Sequence, residues 1–175
     1  MRSVHQLVTL LALAAVPACA DGPLVADGAP PPRLDAVGGG PTSATGSGHY
    51  FSGGEIRTLA FSAVRHDDGA VSGEYQLNVH ALDAVIHVRV ECLLVVGNRA
   101  RLGGTVVRST APAVREGLKS YFWVVDNGEG ADALPDIVST AGFNEDQEGL
   151  DEFCHDGPTI LPPHNVIHGN VQVRE

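Results

Sequence analysis

The densest run of oxygen donors in the chain is Asp126-Asn-Gly-Glu-Gly-Ala-Asp132, followed by Asp136. Hard cations such as Ca2+ take about six to eight oxygen ligands, usually from a flexible loop. Asp126, Asn127, Glu129, Asp132 and Asp136 are of the right types, with glycines that let a backbone wrap an ion. The spacing departs from the EF-hand pattern, so a structural turn at the end of a strand fits the same residues.

Eight histidines invite a second chemistry. His155, His164 and His168 fall close together late in the chain, near Cys154 and Asp156. Zinc sites announce themselves by spacings such as HExxH or paired CxxC, and neither occurs. His164 and His168 follow Pro162-Pro163 in a strand-like pattern, so they would not share a helical face. Solvated surface histidines are the expectation. No serine sits in a Gly-x-Ser-x-Gly elbow, and Val37-Gly-Gly-Gly40 opens no strand-to-helix unit that would cradle phosphate. No catalytic residue is therefore assigned, and the chain is expected not to be an enzyme. The alternative is a metal-dependent or hydrolytic enzyme built on the Asp126–Asp136 loop or the late histidines. It requires at least three such groups to converge in a concave pocket.

The elements that would hold these residues are short β-type runs. Leu59, Phe61 and Ala63 alternate within Glu55–Val64, and Tyr75, Leu77 and Val79 alternate after the turn signal Asp67-Asp-Gly69. In Ile86–Val96 the alternation places Ile86, Val88, Val90 and Cys92 on one face. Gly97-Asn98 predicts a hairpin into Ala100–Val107, where Gly103-Gly104 predicts a bulge or a close backbone approach. Tyr121–Val125, Pro135–Thr140 and Val166–Val173 read as further strands, and helix is credible only at Ala111–Lys119 and Glu145–Cys154. Seven or eight strands at hairpin spacing predict an all-β antiparallel barrel, or a barrel-like sandwich, with one or two short helices. Small size and interior glycines favour closure into a barrel, which removes exposed strand edges. A barrel filled by Tyr75, Trp123 and Leu94 would leave no room for a small apolar ligand.

Compartment is read from the first residues. Arg2 precedes an apolar run, Leu7–Ala15, too short to span a bilayer but right for a signal h-region. Val16-Pro17-Ala18-Cys19 looks like the lipobox of bacterial lipoproteins, whose cysteine is acylated; Ala18-Cys19-Ala20 also fits an ordinary cleavage site. The expected organisation is a signal peptide at 1–18, a lipid-anchor Cys19 with a Gly/Pro/Ser linker over 19–47, and a β-barrel-like domain at 48–175. Either cleavage route leaves Cys92 and Cys154, which an oxidising compartment would join as a disulfide, the alternative being two buried thiols.

The formal charge is −10, from 11 basic and 21 acidic residues. Such a chain is ill suited to phosphate backbones, which excludes nucleic acid as an expected partner. Any hold on a membrane would come from a lipid on Cys19, not from a basic patch.

Gly48-His-Tyr-Phe51, Glu55-Ile-Arg-Thr-Leu-Ala-Phe61, Asp68-Gly-Ala-Val-Ser-Gly73, Cys92-Leu-Leu-Val-Val-Gly-Asn98, Val124-Val-Asp-Asn-Gly-Glu-Gly130 and Gly169-Asn-Val-Gln-Val173 stand out together. Through these segments, residues 48 to 174 resemble a group of small, β-rich bacterial exported proteins of uncharacterised activity. The resemblance implies an exported β-domain in which Cys92 and Cys154 recur, and it transfers no catalytic residue.

The expected function is that of an exported envelope lipoprotein with a non-enzymatic binding or structural β-domain. Its contact surface would be a barrel mouth or the Asp126–Asp136 loop, and its partner a protein or a small apolar ligand. A calcium-stabilised module is a further alternative.

Overall fold

Six strands follow one another as simple hairpins because turn residues fall where the alternation breaks. The computed structural model describes residues 41–130, 132–155 and 160–175. The strands are β1 (Thr42–Ser52), β2 (Glu55–Arg65), β3 (Val71–Val79), β4 (Ala84–Val96), β5 (Arg99–Ser109) and β6 (Lys119–Val125). Gly53, Gly54, Gly69 and Gly97 take positive φ at the β1–β2, β2–β3 and β4–β5 turns, a conformation open to glycine at no steric cost. After β6 come β7 (Ile137–Ser139), β8 (Gly142–Asn144), the helix α1 (Gln147–His155), β9 (Pro163–Asn165) and β10 (His168–Arg174).

The result is a curled antiparallel sheet forming a half-barrel, in the order β10-β1-β2-β3-β4-β5-β6-β7-β9, with β8 also on β6. The expected all-β barrel-like class with a short helix is what forms. The strands beyond the expected seven or eight are three-residue pieces, too short to carry a period-2 signal. The expected helix at Ala111–Lys119 is absent. Pro112 disfavours the helical region for Ala111, and a left-handed Gly117 cuts the run, leaving too little between them for a stable helix. The Gly117 N–H donates instead to the Val106 carbonyl.

Strand β1 begins at Thr42, inside the stretch expected as linker. It carries little to bury, but its backbone is paired on both sides, with β2 and with β10. A side chain at Gly46 would strike the Phe61 ring, so smallness at this position is a packing requirement. The expected signal peptide, Cys19 and most of the expected linker lie outside the described residues.

The C-terminal segment stitches the sheet's two edges together. Its first part, β9, pairs antiparallel with β7; its second part, β10, pairs antiparallel with β1. Between them the Ile167 N–H donates to the His49 carbonyl and the Val166 N–H to the Asp136 carbonyl, both at 2.8 Å.

Two apolar layers result. The interior holds Tyr50, Leu59, Phe61, Tyr75, Leu77, Val88 and Phe122, and Phe61 and Tyr75 meet Phe122 edge-on at centroid distances of 5.4 and 4.9 Å. The void beside Leu59, Phe61, Val138 and Val171 is about 10 Å3, barely room for one water. The second layer lies outside the sheet under α1: Trp123, Val125, Leu150, Phe153 and Cys154. Trp123 thus packs on the helix-covered face, while Leu94 is half-buried; of the three residues considered as possible filling for the barrel, Tyr75 is in the interior core.

Cys92 also belongs to the outer layer, against the expectation that it faces inward with Val90. The β4–β5 register shifts between Val90 and Cys92, which turns Cys92 outward and gives the interior position to fully buried Leu93. The shift lies opposite Gly103-Gly104, where a Cβ on Gly104 would collide with the Arg89 carbonyl. The glycine pair therefore does mark a bulge and a close approach. The bulge aims Cys92 at Cys154 of α1, with Cα atoms 6.2 Å apart and the two sulfurs joined.

Candidate functional site

The acidic loop is occupied with closing the sheet. β10 turns the N–H groups of Val171 and Val173 away from β1, and a strand edge left open would need other acceptors. Asp136 Oδ2 accepts from the Val171 N–H at 2.7 Å, and Asp126 Oδ2 accepts from the Val173 N–H at 3.0 Å. Their other oxygens hold the loop, Asp136 Oδ1 accepting from the Asn127 N–H and Asp126 Oδ1 from the Gly128 N–H. Asn127 donates its amide to the Pro135 carbonyl, and Glu129 accepts from Asn170 and Gln172 across the seam. Those two amides hold the Glu129 carboxyl below its usual range. Asp132 is exposed. The five candidate ligands therefore do not converge on a point; two of them act as acceptors for a strand edge.

The late histidines separate. His155 is exposed at the end of α1, His168 lies on the outer face of β10 in register with His49, and Cys154 is in the disulfide. Elsewhere on the outer face, His49 Nδ1 and His80 Nε2 lie 2.8 and 2.7 Å from one hydroxyl, that of Thr58. Among the described residues, no group of three His, Cys, Asp or Glu side chains gathers as metal ligands would.

Of the three late histidines, His164 enters a polar cluster, at the end of the half-barrel where β1 turns into β2. Inward positions of β2 run Arg57, Leu59, Phe61, Ala63, Arg65, an apolar row with an arginine at each end. Arg57 is the cross-strand partner of Tyr50, whose ring is buried and stacks on His164 at 5.4 Å with an interplanar angle of 30°. His164 Nε2 and Thr140 Oγ1 are hydrogen-bonded at 2.7 Å, and Thr140 Oγ1 lies 3.4 Å from Ser52 Oγ. Five polar groups thus cap the filled interior: Tyr50, Ser52, Arg57, Thr140 and His164.

Electrostatics at this mouth are set by burial and one cation. Burial lowers the His164 pKa below its ordinary value, and the Arg57 charge lowers it further. Burial raises the Tyr50 hydroxyl, with Arg57 opposing the rise. The Arg57 Nε is buried without a hydrogen-bond acceptor, and no ion pair among the described residues involves this guanidinium.

A histidine bonded to a hydroxyl is two-thirds of a nucleophile-activating triad, but the third member is missing. Among the described residues His164 donates no hydrogen bond to a carboxylate, so no carboxylate fixes its tautomer or steadies an imidazolium.

The other large recess, about 750 Å3, is a shallow saddle on the outer face lined by residues such as Ser62, Gln76, Glu74, His87 and Arg89. Glu74 and Arg89 are in register there, and Arg89 also reaches Glu91 at 3.5 Å.

Sequence reasoning did not single out Tyr50, Ser52, Arg57 or Thr140. One signal was available: the period of two that put Leu59, Phe61 and Ala63 inside also puts Arg57 inside. Tyr50 and Ser52 lie across the hairpin, but Thr140 is 88 positions from Ser52 and His164 lies beyond it, with no local trace. No protein-family model matches this chain, and neither a curated protein nor a solved structure does.

Proposed function

We propose that this chain is an exported, non-enzymatic binding domain, displayed on the bacterial cell envelope by a lipid on Cys19. It engages a protein partner through the mouth formed by Tyr50, Ser52, Arg57, Thr140 and His164. The observation that carries this reading is the pairing of a filled interior with a polar mouth that lacks a triad's acid. A solid core leaves no chamber for an apolar ligand, so recognition has to happen at a surface. The acidic loop, the other contact surface considered, is already engaged in the seam. The leader-like first residues and the disulfide-joined cysteines support export.

The test is site-specific photo-crosslinking in intact cells. A photoreactive residue replaces Phe51, exposed beside the mouth, or Val107, exposed on the outer face. One discrete protein adduct from position 51 and none from position 107 is expected. No adduct from position 51, or labelling of Thr140 or Ser52 by an acylating or phosphonylating hydrolase probe, would overturn the reading. Intact-mass measurement of the same envelope fraction, unreduced, should show a diacyl or triacyl increment on Cys19 together with the intact disulfide.

A further inference from the structure

We infer that the mouth is a receptor for a single oxyanion group, a carboxylate or a phosphoryl, gripped by Arg57. The inference rests on the mouth being the binding end and names the chemistry of what it binds.

Acid is plentiful in this chain and base is scarce, 21 residues against 11. An arginine that is both without an ion pair and turned inward, with its Nε buried and unsatisfied, therefore calls for a physical cause. Every other cation in an ion pair among the described residues, Arg89, Arg115 and Lys119, sits on Glu91 or Glu145 at the surface. Arg57 instead points inward, its Nε is buried without an acceptor, its charge acts on the Tyr50 hydroxyl, and Glu55, across from Ser52 at the same turn, stays exposed without pairing with it. Tyr50, Ser52 and Thr140 bring hydroxyls, His164 brings an imidazole, and no carboxylate forms an ion pair with it. Leaving a buried N–H of a charged group unsatisfied is costly, and a guanidinium that turns to meet a ligand oxygen would remove that cost.

The chemistry of the group selects the ligand. A guanidinium presents a planar fork of N–H donors that fits two oxygens of a carboxylate or phosphoryl at once. Flanking hydroxyls can donate to the remaining lone pairs. A cation would be repelled, and a neutral ligand would leave the guanidinium charge unanswered. Arg65 ends the same inward row at the far end of β2, and its Nε too lacks an acceptor. It has no comparable ring of hydroxyls and imidazole among the described hydrogen bonds, so the mouth at Arg57 is the site.

The experiment is titration of the full chain with sodium acetate, and separately with inorganic phosphate, at constant ionic strength. The readout is the Arg57 Nε–H resonance in nitrogen-correlated NMR spectra, assigned by its loss in Arg57→Met. A saturable shift with at least one anion is expected. Arg57→Lys keeps the charge but not the fork and, followed on the backbone amide resonances of Tyr50 and His164 in both proteins, should weaken the affinity about tenfold. Arg89→Met, on the outer face, should leave the titration unchanged, read there on the same resonance. The stronger anion tells which ligand is native: acetate points to a carboxylate such as a chain terminus, phosphate to a phosphoryl group. A linear drift with both anions, or equal affinity in Arg57→Lys and the unaltered chain, would overturn the inference. Because this titration needs no partner, saturation without a crosslinked adduct removes the protein partner and keeps the oxyanion site. An adduct without saturation does the reverse.

Discussion

His164 and Arg57 show how position in the fold changes what a side chain is. A solvent-exposed imidazole titrates near 6.5 and contributes nothing to folding across that range. Here burial, then the Arg57 charge, disfavours the protonated form, so the folded state binds its proton less readily than the unfolded state. The sign follows: stability is full above the unfolded pKa and declines as pH falls below it, until the folded ring also titrates. His164→Gln should therefore flatten the fall in Tm between about pH 7 and pH 5. Glu91 behaves separately. Burial works against its charged form, but Lys119, Thr105 and Arg89 outweigh it and hold the carboxyl below its usual value. Its contribution is lost only at more acidic pH, below the ordinary Glu range. Scanning calorimetry of both proteins over that range separates the two, and identical pH profiles would show that His164 is not the group titrating near neutrality.

At the scale of elements, the decisive feature is the misregister in β4. Alternation alone would send Cys92 into the interior, where no second cysteine lies among the described residues. One extra residue opposite Gly103-Gly104 turns it outward to α1, whose Leu150 and Phe153 then cover Trp123 and Tyr121. A helix this short is marginal alone and depends on packing and the covalent tie. The bond closes a separation of 62 residues, for which loop-closure entropy gives about 4 kcal/mol. Replacing both Cys92 and Cys154 with alanine should lower the unfolding free energy by about 3–4 kcal/mol in urea titration. Amide exchange should accelerate most in Gln147–His155, and a loss of protection spread evenly over all strands would contradict a local staple.

On the scale of the whole domain, closure is accomplished by two carboxylates as well as by strands. Asp136, only 7% exposed, accepts N–H groups from both the loop and β10, and Asp126 does the same two residues further along β10. Charge-assisted bonds of this type are worth about 1.5–3 kcal/mol each, and losing one leaves a buried donor unpaired. Asp136→Asn should cost about 2–3 kcal/mol by chemical denaturation. The loss should be the same with and without millimolar calcium, because these oxygens answer to backbone N–H groups. A calcium-dependent recovery of Tm in the unaltered chain would instead favour the cation reading of the loop.

Much of this was legible from residue order because it depends on neighbours in sequence. Alternation marks which face of Glu55–Arg65 or Val71–Val79 is buried, glycines mark the turns and the tight crossing at Gly104, and the cysteine count marks the staple. What the acidic loop faces, which way Cys92 points, and that Arg57 meets Tyr50, Thr140 and His164 were decided only by the tertiary structure. These depend on register between strands and on how one C-terminal segment lies along two distant edges. A shift of one residue in pairing reverses a face without changing a letter of the sequence.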